Sequence, residues 1–257
     1  MDRHPHLWAA LLAARRSAEA LAFWDEHHTN RVAGQETDRT CDLATEKAIL
    51  NELERHFPEH NVISEESYPE FATKPRWIVD PLDGRVNYLN GIPHYSVSIA
   101  FEGAGTADVS VVYHIPSDKL FTAIEGQGAY LNGRPISVSE TTTLSDALVV
   151  TGFDPTTIKS QNFNQFRSLL DQTQGVRRFG SAAAELAMVA NGKFDIFFER
   201  VLSVWDTAAG IQIIEEAGGK VTRIEQLDSS NREMVLASNP QIHQEAVSLI
   251  SSSNQGD

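Results

Sequence analysis

The chain has 257 residues, 41% hydrophobic and 22% charged, enough to bury a sizeable core in one large unit or two packed halves. Lys and Arg number 21 against 35 Asp and Glu, a formal charge of −14 with no basic run, which argues against nucleic acid or an anionic membrane as a nonspecific partner. A single cysteine, Cys41, excludes an internal disulfide and the zinc spacings built on paired Cys, and makes a reducing cytoplasm the expected setting.

Residues 5 to about 28 carry Leu7, Leu11, Leu12, Ala18, Leu21 and Phe23 at helical spacing with charges between them. That is the pattern of a surface helix, not of a signal peptide, and no window approaches the ~20 apolar residues of a membrane span. A second helix is predicted over 42–57, with Leu43, Ile49, Leu50, Leu53 and Phe57 as its apolar stripe and Pro58 as its stop. Strand patterns at 61–64 and 76–79 each run straight into acidic residues. Alternating or apolar runs follow at 95–101, 107–113 and 119–124, separated by Gly-rich turns at 103–105 and 126–128.

After residue 140 the rhythm changes. Strands are predicted at 147–151, 176–178, 194–198, 219–223 and 233–237, and helices at about 157–171, 181–191, 205–216 and 240–250. The polar tail 251–257 is expected to fray. The whole reads as an α+β chain forming a single structural unit over 1–257. Residues 1–140 make an N-terminal half with an antiparallel sheet, 141–257 a C-terminal α/β half, and the site lies at the seam.

Acidic residues stand at the ends of these elements: Asp42 opening the second helix, Glu65-Glu66 after a strand, Asp80 and Asp83 after another, and Asp206 opening a late helix. In Asp80-Pro81-Leu82-Asp83-Gly84, proline fixes a turn and glycine permits close backbone approach, so the carboxylates can converge. Converging carboxylates raise each other's pKa unless a cation lies between them, and oxygen-only ligands suit Mg²⁺. Arg85 to Leu89 then reads as a short helix whose first amides face a phosphate. Any one of these groups alone reads as a turn, a cap or a solvated loop. The combination carries the inference.

The run Trp77-Ile78-Val79-Asp80-Pro81-Leu82-Asp83-Gly84, with Asn87-Tyr88, Gly91-Ile92-Pro93 and Ser96 to Ala100, closely resembles the first signature of the inositol monophosphatase family. Val204-Trp205-Asp206-Thr207-Ala208-Ala209-Gly210, with Glu216-Ala217-Gly218-Gly219, resembles the second. Gly128 to Arg134 and Arg178 to Ala183 are similar to further family segments. The resemblance implies a five-layered αβαβα sandwich that hydrolyses a small phosphorylated polyol or sugar with Mg²⁺, as a homodimer. It implies metal ligands at Glu65, Asp80, the Leu82 carbonyl, Asp83 and Asp206. The amides of Gly84 and Arg85 would cradle phosphate, Ser181, Ala182 and Glu199 would line the alcohol pocket, and Arg31 would match a basic residue near its mouth.

One departure stands out. Where the family has Thr after Asp-Pro-Leu-Asp-Gly, this chain has Arg85. The family Thr pairs with the residue matching Asp42 to deprotonate water, which an arginine, with donors only, cannot do. An ion pair between Asp42 and Arg85 is expected, making Glu65, Asp42 and Arg85 the residues on which catalysis turns. A second family Thr falls on Arg39. The alternative is a homologue that binds a sugar or polyol phosphate without hydrolysing it.

Overall fold

The structure, a computed structural model, describes residues 4–27, 39–67, 73–103, 107–152, 160–227 and 232–253. Arg31, the middle of the 103–105 turn and the start of the helix expected from 157 lie outside them. Two helices open the chain, α1 (Pro5–His27) and α2 (Thr40–His56). α1 turns Ala9, Ala10, Ala13 and Ala14 inward, a seam of small side chains that lets neighbours pack closely, and α2 turns in Ile49 and Leu53. Phe23 and Leu43, expected in the buried stripes, are instead 63% and 51% exposed. The alanine seam centres the buried face of α1 away from Phe23, and α2 is centred on Ile49 and Leu53.

The first sheet runs in the order β1 (Asn61–Ser64), β2 (Arg76–Asp83), β3 (Ser96–Glu102), β4 (Ala107–His114), β5 (Lys119–Ile124), β6 (Ala129–Leu131), β7 (Arg134–Pro135). It is not wholly antiparallel, because β1 and β2 pair in parallel, a geometry that no hairpin can make. A five-residue helix, α3 (Arg85–Leu89), follows β2. The second sheet has the order β11 (Lys220–Leu227), β12 (Arg232–Ser238), β10 (Ile196–Leu202), β8 (Leu148–Thr151), β9 (Gly175–Arg177). Its helices are α4 (Ser160–Gln172), α5 (Ala182–Ala190), α6 (Val204–Glu216) and α7 (His243–Ser252).

Strand parity builds the layers. Trp77, Val79, Val97, Ile99 and Phe101 face α1 and α2, while Ile78, Ala100 and Val112 turn the other way onto α5 and α6. In the second sheet Val150, Phe197, Val235 and Ala237 meet the opposite side of that helix pair. Val149, Ile196, Phe198, Met234 and Leu236 pack on Leu169 of α4, on Ile242 just before α7, and on Ala246 and Ile250 within it. The result is the expected αβαβα sandwich. Both sheets are covered on both faces, so their strands read as continuous apolar runs. The α5–α6 pair is buried between them, and a Cβ added at Gly210 would lie 2.7 Å from Leu186 Cβ.

Two further expectations change. β2 continues through Pro81 to Asp83, with a register shift against β3 between Asp80 and Asp83. The acidic motif is therefore the bulged end of a strand and not a turn after it. At the other end of the chain, Ser251 and Ser252 close α7, and Ser253 Oγ donates to Ser168 Oγ at 2.8 Å. That stretch of the tail is tied down, and 254–257 lie outside the described residues.

Candidate active site

The ends of β1, β2, α2, α5 and α6 bring the acidic residues of three layers together. Asp80, in the bulge of β2, is 1% exposed, and its Oδ1 accepts the Leu82 amide at 3.0 Å. Burial first, then the charges of Glu65, Asp83 and Asp206, push its carboxyl well above the usual range. Glu65 rises to about 7 for the same reason, burial leading and the charge of Glu66 next. Carboxylates at the end of β1, in β2 and in α6 thus act on the buried Asp80 together, a state that a cation relieves.

Gly84 links β2 to α3 with φ +93°, and a Cβ there would meet the His94 carbonyl at 3.0 Å and the Gly180 carbonyl at 3.2 Å. Glycine is the residue that fits, and the turn it permits starts α3 at Arg85. Arg85 Nη1 donates to Asp42 Oδ2 at 3.0 Å, the pair expected from the sequence. Asp42, in the first turn of α2, is 3% exposed. Burial raises its carboxyl to about 6 even though the Arg85 bond and charge pull it down, while those contacts raise the guanidinium against its own burial.

Asp83 turns to the amino end of α5. Its Oδ2 accepts from Ser181 Oγ at 2.6 Å, the Ala183 amide at 2.8 Å and Ser96 Oγ at 3.3 Å, and its Oδ1 from the Ala182 amide at 3.2 Å. Asp206 is the third residue of α6, where its Oδ2 accepts the Ser203 amide at 2.7 Å and closes a capping box. Glu65, Asp80, Asp83 and Asp206 are the acidic residues that the sequence marks as cation ligands. They share one electrostatic neighbourhood, but among the described residues no three Asp, Glu, His or Cys side chains are grouped to hold a metal as they stand. Oxygens of Asp83 and Asp206 accept from protein N–H and O–H donors. The donor chemistry still fits a hard divalent cation, being all carboxylate and carbonyl oxygen without sulfur or imidazole.

Ser181 and Ala182 thus meet Asp83 directly, and Glu199 in β10 lies nearby. Burial, then the charges of Glu185, Asp206 and Asp83, push the Glu199 carboxyl well above its usual range. Glu185, which the sequence reading passed over, is fully buried in α5. Its Oε1 accepts the Phe179 and Gly180 amides at 3.0 and 2.8 Å, and burial lifts its carboxyl to about 8. The loop so held accepts Asn87 Nδ2 at the Phe179 carbonyl, 2.6 Å away. The signal was present, because one acid in the otherwise apolar Ala182–Ala190 helix is a buried charge with a task. His94 is buried with its Nδ1 3.3 Å from His114 Nε2. Cys41 is a buried thiol in no disulfide, packed as a small apolar residue would be.

Residues 8–255 match the sequence profile of the inositol monophosphatase family. The chain is 39% identical over 231 residues to a Nus factor SuhB of Pseudomonas aeruginosa, covering 85% of each. It is 38% identical over 254 residues to an inositol-1-monophosphatase of Synechocystis, covering 96% of this chain and 88% of that one. Among solved structures, an inositol monophosphatase from Anabaena superposes with a TM-score of 0.85 at 36% identity, covering 98% and 97% of the two chains. No helix among the described residues is long and apolar enough to cross a membrane.

Proposed function

The chain belongs to the inositol monophosphatase family and is a hydrolase of the phosphatase type, and from that premise we propose that it hydrolyses the phosphomonoester of a small polyol or sugar with Mg²⁺. The observation that carries the reading is the group of Glu65, Asp80, Asp83 and Asp206, with the buried Asp80 pushed far from its ordinary ionisation by burial and by the other three. Glu65, Asp80, the Leu82 carbonyl, Asp83 and Asp206 would hold the ion. Once bound, it supplies charge neutralisation at the phosphoryl oxygens and a more acidic water.

The chain's own residues do the rest. The Gly84 turn presents the Gly84 and Arg85 amides to a phosphate. Ser181, Ala182 and Glu199 would line the space for the alcohol portion, with the Ser181 hydroxyl and the Ala182 amide held by Asp83. Glu185 keeps that wall in place by bonding the Phe179 and Gly180 amides. Asp42 is the carboxylate suited to take a proton from water, and Arg85 occupies its Oδ2. Hydrolysis in the unaltered chain is therefore slow.

Phosphate release from a panel that includes inositol 1-phosphate and other sugar and polyol monophosphates, with Mg²⁺ and with a chelator, tests this. Slow, Mg²⁺-dependent release is expected, and release that persists undiminished in chelator would refute the metal reading. The second reading is a homologue that binds such a phosphate without cleaving it. The Arg85–Asp42 bond favours it, and relatives under the name Nus factor SuhB show that proteins this similar carry names other than an enzyme's. Tight binding of a sugar phosphate with no phosphate release would decide for it.

A further inference from the structure

Two of the chain's departures from the family pattern, Arg39 and Arg85, meet on one carboxylate. Glu66, its side chain 3% exposed, accepts Arg39 Nη1 on Oε2 at 3.1 Å. Its other oxygen, Oε1, is 3.5 Å from Arg85 Nη1 and makes no hydrogen bond. The same Arg85 nitrogen is 3.0 Å from Asp42 Oδ2. One guanidinium nitrogen thus stands between two buried carboxylates, bonded to one and only near the other. Arg39, 59% exposed, bonds Glu66 directly from the solvent side and reaches Asp42 only through its charge, and that is what distinguishes the two carboxylates.

We propose that Arg39 and Glu66 are positioning residues that decide where Arg85 points: while Arg39 holds Glu66, Arg85 stays on Asp42, and without Arg39 it moves to Glu66 and frees Asp42. The physical argument is the cost of an unpaired buried charge. Stripped of Arg39, Glu66 is a buried carboxylate with one orphaned oxygen already beside a cation, and pairing with that cation is the available relief. Arg85 then shifts by roughly the difference between a contact and a bond. Asp42 loses its partner and can accept a proton from water. The consequence for turnover rests on the reading of Asp42 given above, whereas the movement of Arg85 does not.

Crystal structures of the full chain carrying Arg39→Ala, Arg39→Lys, and Arg39→Ala with Glu66→Gln test it. In Arg39→Ala, Arg85 is expected within hydrogen-bond distance of Glu66 and off Asp42. Lysine at 39 keeps the charge and should restore the original pair. Glu66→Gln in the Arg39→Ala chain removes the competing charge and should return Arg85 to Asp42. Arg85 remaining on Asp42 in Arg39→Ala overturns the proposal. Glu66→Gln alone, which leaves Arg39 intact, should keep Arg85 on Asp42, and an Arg85 that leaves Asp42 there overturns it too. Turnover separates this proposal from the premise. Arg39→Ala is expected to raise kcat roughly tenfold with KM little changed, Glu66→Gln cancelling the gain. If Arg85 moves and kcat does not respond, the positioning role stands and the assignment of Asp42 as the missing base fails.

Discussion

Val201 sits in β10 with φ +65°, a left-handed conformation that a β-branched side chain rarely adopts, between Glu199 and the Ser203 cap of α6. The register of β10 against β12 breaks at the same place, between Glu199 and Leu202. The strain falls between the residue proposed to face the substrate and the helix that carries Asp206. Val201→Gly relieves the clash between Cβ and carbonyl and gives back part of the gain as unfolded-chain entropy. A net stabilisation of about 1 kcal/mol is expected, measured as a higher denaturant midpoint at unchanged slope. Nothing in the sequence marks Val201, because a backbone dihedral is imposed by the bulge around it. The Arg85–Asp42 pair, by contrast, was readable. An arginine where a hydroxyl is expected, beside a carboxylate with no other cation assigned to it, leaves few other partners.

At the scale of elements, the α5–α6 contact ties the two sheets to the site, since α5 begins at the donors to Asp83 and α6 at Asp206. Ala at 210 would ordinarily favour a helix by about 1 kcal/mol. Here its Cβ would lie 2.7 Å from Leu186 Cβ and Cδ1, so the helices must part. Gly210→Ala is expected to destabilise by about 1–3 kcal/mol in a chemical melt, and a stabilised variant would show that the two helices are not closely packed. Most elements were legible from the sequence. Runs such as Ser96 to Phe101 are apolar between Gly and Pro punctuation, and the Ala-rich 182–190 segment is hydrophobic all round, as a helix between two sheets must be. Three features were not. Pro81 looked like a turn because proline is rare within a strand, and the bulge that tolerates it depends on β3. Phe23 and Leu43 lie near the buried stripes by periodicity, yet the alanine seam set which face of α1 was covered, and Ile49 and Leu53 that of α2. The carboxylates were found as residues, but the hold of Ser181, Ala182 and Ala183 on Asp83 appears only when α5 is docked.

Across the whole molecule the buried acids make stability depend on pH in a defined direction. Glu65, at about 7, and Glu185, at about 8, lie above the ordinary carboxylate range, both chiefly through burial. The folded chain therefore holds protons that the unfolded chain releases between pH ~4.5 and those values. Their stabilising effect is complete below pH ~4.5 and lost as pH rises through 7 and 8. Melting temperature without metal is expected to fall between pH 5.5 and 8, by at least ~2–4 °C for about 1 kcal/mol in a chain of this size. Mg²⁺ should raise it more at pH 8 than at pH 5.5, because it binds the ionised acids in the folded state. A melting temperature that rises with pH, or a Mg²⁺ effect equal at both values, would count against the acidic group as a cation site.

The central claim is that Arg85 on Asp42 stands where a phosphatase of this family needs a base, and phosphate release by Arg85→Thr tests it most directly. With Mg²⁺ and a sugar or polyol monophosphate, Arg85→Thr is expected to exceed the unaltered chain by a factor of roughly 10². Asp42→Asn in that background should cancel the gain. If the unaltered chain already hydrolyses the ester quickly and Arg85→Thr slows it, Arg85 takes part in catalysis and the reading of it as an obstruction is wrong.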